Sequence, residues 1–414
     1  MPRVITRTHA AFVFIFITVL LDMISFGIII PVFPQLILKL QGGDMAGAAA
    51  IFGVFGTAFA LMQFIFSPVQ GALADRFGRR PVILLSNLGL GLDYVVMAVA
   101  PSIPILFLGR LVSGATSASF SISGAYVADV TPPEKRAGQF GLLGAAFGIG
   151  FIVGPAIGGL LGAVDLRAPF WFAAGLSFAN FLYGTLILPE SLPKERRSPF
   201  RLRAANPIGA MRFLGSRPVL TTLAVMSFFS FLAHDAIPNT FVLYSTYRFG
   251  FDERAIGLSL AIVGFSSLIV QGLVVGRVVA RLGEYRTLLT GLGIGLVSEL
   301  MFAFAPTTAL FLLGLPIFSF FGLTGAPLQS IASREVTPSE QGQLQGAITS
   351  LRSMVTLVTP GLYTGVFALF VGPLASVGLP GAPYLLSAIL MAASAAILVR
   401  SATTLRSPAA VRPS

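Results

Sequence analysis

Only 10% of the 414 residues are charged and 55% are hydrophobic. This excludes a soluble globular protein, in which about a quarter of the residues carry a charge. The chain contains no cysteine, which excludes disulfide frameworks, thiol nucleophiles and cysteine-based zinc sites. The formal net charge of +11 is compatible with a nucleic-acid partner. The positions of the basic residues have to show whether this charge serves nucleic-acid binding or membrane topology.

Twelve apolar segments follow one another along the chain, each close to the roughly 20 residues that cross a bilayer as a helix. They lie at 10–38, 47–70, 81–100, 103–127, 138–163, 169–188, 218–247, 255–280, 287–305, 308–332, 342–371 and 383–399. Pro360 suggests an interruption of the eleventh segment. Because Asp22 interrupts the first segment, which is also too long for a signal sequence, we expect no cleaved signal peptide. The pattern predicts an all-α integral membrane protein with twelve transmembrane helices.

Basic residues alternate between the two sides of these segments. Seven of the 27 lie in the stretch 189–217 alone. The opposite side carries only Lys39, Arg167, Arg248 and Arg254. By the positive-inside rule, both termini and this stretch are cytoplasmic, and the chain is a multi-pass protein of the cytoplasmic (inner) membrane. The basic charge is thus explained by topology, and we expect no nucleic-acid partner.

The second half of the chain repeats the first at an offset of 205 to 207 residues. The matches are VTPPE (130–134) with VTPSE (336–340), Gly71-x4-Arg76-x-Gly78 with Gly276-x4-Arg281-x-Gly283, Pro155 with Pro360, and Ile30-Pro31 with Ile237-Pro238. An even number of spans per half implies a pseudo-two-fold axis along the membrane normal and a binding site at the midplane between the halves.

The repeat predicts two six-helix bundles, at 1–188 and 218–400, followed by a cytoplasmic tail at 401–414. The segment 189–217 between them is polar, basic and Pro-containing, which is typical of a cytoplasmic linker. We expect a short interfacial helix near 207–214 and no ligand-binding role for the linker.

Several motifs resemble those of the major facilitator superfamily. GALADRFGRRP (71–81) is similar to its loop between helices 2 and 3, LGRLVSG (108–114) to its helix 4 motif, and GAAFGIGFIVGPAIGG (144–159) to the helix 5 motif of its proton-driven antiporters. LDMISFGIIIPVFP (21–34), LPESLPKERR (188–197) and GQLQG (342–346) resemble bacterial tetracycline efflux proteins. The resemblance implies the major facilitator fold and export of an amphipathic drug in exchange for protons.

The charged loop motif is expected to act as a conformational latch. Its carboxylate and guanidinium groups lie where helix ends meet, and the resemblance implies contacts that form when the cytoplasmic side closes. A purely topogenic basic loop is the alternative. The latch residues are Gly71, Asp75, Arg76, Gly78, Arg79, Arg80 and Asp129.

Ionisable side chains within spans cost roughly 2.5–3.5 kcal/mol each on insertion scales and are therefore functional candidates. Arg352 is one of them. Arg110 needs an acceptor, for which Asp22 or Asp93 is suited, and a static salt bridge is the alternative to proton coupling. The resemblance links the helix 4 arginine and both aspartates to proton coupling and the transport path. The predicted proton-coupling residues are Asp22, Asp93, Arg110, His234, Asp235 and Glu299.

Two further sets complete the predicted site, and for both the alternative is ordinary packing. Polar and aromatic side chains suit a planar, amphipathic substrate. They are Gln63, Asn87, Asn239, Phe241, Ser267 and Gln271.

Glycines four residues apart, with a proline, make a helix that packs closely and bends. These are Gly144, Gly148, Gly154, Pro155, Gly158 and Gly159.

Two positions depart from the tetracycline efflux pattern. Ser267 occupies the position at which many tetracycline efflux proteins have a histidine in helix 8. Gly295 occupies the position of their aspartate in helix 9, and Glu299 follows one turn later. The substrate is therefore a tetracycline-like drug, free or as a magnesium chelate, or another metabolite or nutrient; a non-transporting receptor or scaffold is the contrasting class. Motifs of nucleotide hydrolysis and catalysis are absent, so we expect no enzyme, no cofactor, no resident metal and a monomer.

Overall fold

The computed structural model describes residues 2–117, 119–198, 207–337 and 340–401, and no strand occurs among them. Ten helical segments of this described part are long and apolar enough to cross a membrane. One of them, Glu253–Phe304, has 52 residues and covers two predicted spans. The helix Ala168–Leu186 covers the predicted sixth span. The all-α membrane fold with twelve transmembrane helices is thereby confirmed.

The chain divides into two compact units, of which unit 1 comprises Met1–Ala204 and Phe251–Gly264. Its helices are α1 (Pro2–Ile29), α2 (Phe33–Leu40), α3 (Met45–Phe77), α4 (Arg79–Val99), α5 (Ile103–Thr116), α6 (Ser119–Val130), α7 (Pro133–Gly162) and α8 (Ala168–Leu186). α1 packs on α7 and α8, α3 packs on α5, and α4 packs on α8. Their apolar faces form two buried clusters that hold these helices together.

Unit 2 comprises Ala205–Gly250 and Phe265–Ser414. Its helices are α9 (Pro207–Leu214), α10 (Pro218–His234), α11 (Ala236–Phe249), the end of α12 (Glu253–Ile269), α13 (Val275–Phe304), α14 (Thr308–Phe318), α15 (Gly325–Arg334), α16 (Gln341–Val371) and α17 (Ala382–Arg400). α17 packs on α10 and α13, and α9 packs on α16. The short helix predicted near 207–214 is therefore confirmed as α9.

Helix interruptions recur at corresponding places in the two units. α1 ends shortly before Pro31 and α10 ends shortly before Pro238, because proline lacks an N–H and restricts the preceding residue. The predicted fourth span is divided into α5 and α6, and its counterpart into α14, a 3₁₀ turn (Ser319–Thr324) and α15. The sequence repeat is thus also a repeat of backbone breaks. Pro360 is different, since α16 continues through it and the suggested interruption does not occur.

The repeated loop motif places a glycine at the same special backbone position in each unit. Gly78 separates α3 from α4 with φ +107°, and Gly283 interrupts α13 with φ +73°. Both values lie in the region that favours glycine, because a side chain there is strained. The conserved spacing of the motif in the two halves therefore has a backbone cause.

The segment that follows α8 is attached to unit 1. The backbone N–H of Ser198 donates to the carbonyl of Asp75 at 3.1 Å, and the hydroxyl of Tyr126 donates to the carbonyl of Pro189 at 2.9 Å. The bundle boundaries at 188 and 218 stay a prediction. Of the predicted tail at 401–414, residues 402–414 lie outside the described residues.

Candidate functional site

Asp22 of α1 is buried in unit 1, with 4% of its surface exposed. Its Oδ2 accepts a hydrogen bond from the hydroxyl of Ser119, and its Oδ1 accepts from Nδ2 of Asn180 at 3.5 Å. The same amide donates to the carbonyl of Thr18 at 2.9 Å. Within the residues that the structure describes, Asp22 forms no ion pair. Uncharged donors from α6 and α8 hold this carboxylate.

Asp93 of α4 is 1% exposed, and neither carboxylate oxygen has a hydrogen-bond partner in the described part of the chain. The carboxylate lies over Gly109 of α5, where an added Cβ would be 2.5 Å from Oδ1. The side-chain amide of Asn87 and the hydroxyl of Tyr94 are also buried without described partners. α4 therefore presents three polar groups whose hydrogen-bonding capacity is unused.

Arg110 of α5 is stacked on aromatic rings. Its guanidinium carbon lies 5.1 Å from the ring centre of Phe33 and 4.4 Å from that of Phe59. Its Nε and Nη1 make no hydrogen bond to described residues. Asp93 is close enough to interact electrostatically, but no ion pair within 4.0 Å joins them. The expected salt bridge is thus absent, because ring faces rather than a carboxylate hold the cation.

Unit 2 contains a tight ion pair between α10–α11 and α16. Arg352 Nη2 lies 2.6 Å from Oδ1 of Asp235, and the hydroxyl of Thr359 donates to Oδ2 at 2.9 Å. The side chain of Asp235 is 5% exposed and that of Arg352 is 39% exposed. The sequence identified both charges as lying within spans but did not pair them. Their opposite signs in the seventh and eleventh spans were the available signal.

His234 stacks against two parallel rings of unit 2. Its ring centre is 5.1 Å from that of Phe318 and 4.8 Å from that of Phe321. Its Nδ1 is buried and makes no hydrogen bond to a described residue. Although adjacent in sequence, His234 and Asp235 make separate contacts, as their neighbouring positions on a helix predict.

Glu299 of α13 is fully buried, and its carboxylate oxygens make no hydrogen bond within the described ranges. One turn earlier, Gly295 packs tightly on α17. An added Cβ there would collide with the sulfur of Met391 and lie 3.1 Å from the ring of Phe321. A side chain at position 295 would therefore require the end of Met391 to move, whereas the carboxylate at position 299 is accommodated as packed.

The predicted substrate-binding residues lie in different environments. Gln63 is half-buried on α3. Phe241 is 2% exposed and stacks on Phe311, with ring centres 5.7 Å apart. Asn239 donates from Nδ2 to the carbonyl of Asp235 at 2.7 Å. Phe241 therefore packs in the interior of unit 2, and its contact with a substrate stays a prediction.

The remaining two substrate candidates flank an irregular turn. The hydroxyl of Ser267 donates to that of Ser319 at 3.3 Å. Gln271 is exposed within a π-helical turn, Val270–Val274, that joins α12 to α13. π-Helical turns are rare overall, and those that occur are frequently found at functional sites. No local feature of the sequence predicted this one.

Arg79 is the centre of the charged loop cluster. Its Nη1 lies 2.6 Å from Oδ1 of Asp75, its Nε lies 3.2 Å from Oδ2 of Asp129, and its backbone N–H donates to Oε1 of Glu190 at 2.9 Å. An added Cβ on Gly78 would collide with the carboxylate of Glu190. The cluster therefore fastens α3, α4, α6 and the segment after α8 to one another.

The other predicted latch residues surround this centre. Arg80 donates to the carbonyls of Gly184, at 3.3 Å, and Thr185 at the end of α8. Arg76 lies over the ring of Phe77 at 5.2 Å, and Gly71 faces open space. All these contacts lie inside unit 1, and a latch between the halves stays a prediction.

The glycine-rich helix α7 packs closely on α1 through Gly150, Gly154 and Gly158. An added Cβ on Gly154 would lie 2.7 Å from the Cα of Gly27, and one on Gly158 would collide with the carbonyl of Ile28. This four-residue spacing produces a continuous face for close backbone approach.

The close-packed face of α7 has limits. Gly159 faces α12, where an added Cβ would lie 2.8 Å from the Cα of Gly257. Gly144 and Gly148 have open space above them. α7 continues through Pro155. Gly144 and Gly148 therefore do not take part in the close packing that begins at Gly150, and the part of the α7 glycines in transport stays a prediction.

In the described residues, no group of three or more His, Cys, Asp or Glu side chains could hold a metal ion.

The Major Facilitator Superfamily profile matches residues 15–360. The class C tetracycline resistance protein of Escherichia coli is 39% identical over 363 residues, covering 87% of this chain and 91% of that protein. The class E protein of Escherichia coli is 36% identical over 360 residues, covering 85% and 86%. Among solved structures, the human organic anion transporter MFSD10 (TETRAN) matches with a TM-score of 0.69 and 25% identity, covering 94% of this chain and 99% of that one.

Proposed function

Since the chain belongs to the major facilitator superfamily, we propose that it exports an amphipathic, tetracycline-like drug in exchange for protons by alternating access. The tetracycline resistance proteins that it resembles over most of their length support this substrate class. We further propose that it lies in the cytoplasmic membrane with both termini cytoplasmic, acts as a monomer and has no enzymatic activity.

The buried carboxylates of unit 1 carry the proposal. Asp22 has only uncharged donors, and Asp93 makes no hydrogen bond of ordinary geometry, although Ser113 and Arg110 lie near enough to interact with it. A buried, unpaired carboxylate is costly, and a proton removes its charge. Each of the two groups can therefore take up a proton on one side of the membrane and release it on the other, which is the chemistry that exchange requires.

Arg110 supplies the alternative partner for an ionised Asp93. The guanidinium lies near that carboxylate but rests on the rings of Phe33 and Phe59. When Asp93 is protonated, the rings satisfy the cation. When Asp93 releases its proton, electrostatic attraction favours an ion pair instead. The competition between these two sets of contacts couples the protonation state to the side-chain arrangement.

A second candidate substrate follows from unit 2. Gly295 lacks the carboxylate of the tetracycline efflux pattern, a side chain there would displace the end of Met391, and Glu299 is the nearest carboxylate along α13. This favours an amphipath that does not bind in the manner of a magnesium–tetracycline chelate. Proton exchange is common to both candidates, and only the cargo differs.

The experiment is proton release from proteoliposomes under an imposed pH gradient, on addition of tetracycline with magnesium or of other amphipathic drugs. We expect release with the wild-type protein and none with Asp22→Asn or Asp93→Asn. Asp44→Asn is the matched control, because Asp44 caps α3 at an exposed position where asparagine caps equally well.

Three outcomes are distinct. Release that persists in Asp93→Asn contradicts the assignment of that carboxylate. Release with another drug but not with tetracycline keeps the exchanger and replaces its substrate. No release with any compound overturns the proposal in favour of a receptor or scaffold.

A further inference from the structure

One face of α16 is polar along much of its length. Gln345, Thr349, Arg352, Ser353 and Thr356 follow the spacing i, i+4, i+7, i+8 and i+11, which places them on one side of a helix. All five are exposed or half-buried, whereas a different face of α16, formed by Leu344, Ala347, Leu351 and Val355, is buried in unit 2. A polar stripe of this kind is costly against lipid tails. It indicates that this face of the helix borders water.

Arg352 lies in the middle of the stripe, about 17 Å along the axis from the start of α16. Its side chain is 39% exposed, although it is paired with a carboxylate that is only 5% exposed. The ion pair is therefore buried on one side only. Here the anion is inside and the cation faces the water-bordering surface.

Asp235 fixes the direction of this cation. Both of its oxygens are occupied, one by Arg352 Nη2 at 2.6 Å and one by the hydroxyl of Thr359 at 2.9 Å. The only other hydrogen bond that the guanidinium makes to a described residue is a long one, from Nη1 to the carbonyl of Phe231 at 3.4 Å. A guanidinium has five N–H donors, so most of them are left for a ligand on the exposed side.

Aromatic surface lies beside the cation. The ring of Phe231 is 5.3 Å from the guanidinium carbon. One turn further along α10, His234 stacks with Phe318 and Phe321, and Arg352 is close enough to influence it electrostatically. Phe231 and His234 are both half-buried rather than enclosed. A fixed cation beside aromatic faces suits a planar molecule that carries an anionic group.

We propose that Arg352 binds an anionic oxygen of the transported molecule, and that Asp235 and Thr359 position its guanidinium. The inference rests on the proposed export function and specifies its substrate class, which is a planar amphipath with a carboxylate or a comparably acidic group. The guanidinium recognises two oxygens at once, because its parallel N–H groups match a carboxylate.

The test is a fluorescence titration of the purified full-length protein with two probes that differ only in charge. Dansyl-glycine carries a carboxylate, and dansyl-glycinamide replaces it with a neutral amide. We expect the wild type to bind the carboxylate about ten- to a hundredfold more tightly, as hydrogen bonds to charged groups do. The ratio of the two dissociation constants is the readout, because a merely structural contribution of Arg352 would weaken both probes together.

The main variant is the double substitution Arg352→Gln with Asp235→Asn. It avoids leaving a buried carboxylate without its partner, which would endanger folding. We expect it to bind both probes with equal affinity. Arg352→Lys keeps the charge but loses the paired donors, so it should retain part of the preference. Arg400→Gln, at the exposed end of α17, removes the same charge elsewhere in unit 2 and should behave as the wild type.

A preference that persists in the double variant would overturn the inference, as would equal binding, or no binding, of both probes by the wild type. The outcome is independent of the proton-release experiment. If proton exchange fails and the carboxylate preference depends on Arg352, the anion site stands without the proposed function. If proton exchange succeeds and the preference is absent, the proposed function stands without this site.

Discussion

Each of the two units contains a buried aspartate near an arginine, and the two arrangements differ. In unit 1, Asp93 and Arg110 are neighbours without an ion pair, and the arginine rests on aromatic rings. In unit 2, Asp235 and Arg352 are joined at 2.6 Å and a threonine satisfies the second carboxylate oxygen. An unpaired carboxylate can be neutralised by a proton without breaking an ion pair, whereas protonation of a paired one would leave its partner uncompensated. The Asp93 site is thus better suited to a change of charge than the Asp235–Arg352 pair, and Glu299 is the carboxylate of unit 2 that resembles Asp93 in lacking a described hydrogen-bond partner.

The largest expected difference is in stability. Asp235→Asn leaves the guanidinium of Arg352 without its partner, and we expect a loss of about 2 kcal/mol, less than for a fully buried pair because Arg352 is half exposed. Asp93→Asn breaks no ion pair, so its unfolding temperature should equal or exceed that of the wild type. Thermal unfolding in detergent measures both.

Combining Asp235→Asn with Arg352→Gln should restore most of the lost stability, since no charge is then left unpaired. If Asp235→Asn and Asp93→Asn lowered the stability equally, the contrast between the two units would disappear.

The next contrast concerns the two loop glycines. Gly78→Ala and Gly283→Ala should each cost about 1–2 kcal/mol, because both positions have positive φ. Only at Gly78 does the new Cβ also meet Glu190 and Arg197, while Gly283 has nothing within 4 Å. We therefore expect faster tryptic cleavage between residues 194 and 197 in Gly78→Ala alone. Similar cleavage rates in both variants would show that the loop cluster does not hold this segment.

The smallest expected effect depends on pH. The backbone N–H of Thr337 donates to Glu340 at 2.8 Å and Arg217 lies 2.9 Å away, and these contacts hold the pKa of Glu340 below its ordinary value. The stabilisation is fully present above that ordinary value and is lost as the pH falls through the lowered pKa. The gap in unfolding temperature between wild type and Glu340→Gln should therefore close on acidification.

Glu134 is the counterpart of Glu340 in the repeat and makes no ion pair with a described residue. Glu134→Gln should thus match the wild type over the same pH range. A pH-independent gap for Glu340→Gln would mean that its charge does not contribute.

Hydropathy was sufficient to predict the twelve spans and the short helix α9, because both depend on local composition. The repeat paired Pro31 with Pro238, but the spans 10–38 and 218–247 were predicted without the helix breaks that the structure shows near both prolines. The environment of Arg110 could not be predicted in this way. The choice between the rings of Phe33 and Phe59 and a nearby carboxylate depends on how three helices are rotated, which hydropathy does not encode.

The ion pair between Asp235 and Arg352 could not be predicted from the sequence for a related reason. The two residues are 117 positions apart, and their contact requires a particular packing of α10 against α16. The π-helical turn around Gln271 and the continuous path of α16 through Pro360 are backbone adjustments that tertiary packing imposes. Sequence reasoning therefore found the charged residues of the site but not their partners.

The attachment of residues 189–198 to unit 1 determines where the polypeptide tolerates being divided. A cut at residue 188 would remove Glu190 and Ser198 from the helices that they contact and leave the backbone N–H of Arg79 without its acceptor. A cut placed after Ser198 would leave both of these contacts within the N-terminal fragment. Co-expression of such fragments, or insertion of a reporter domain at this point, is accordingly the natural route to labelling the halves independently.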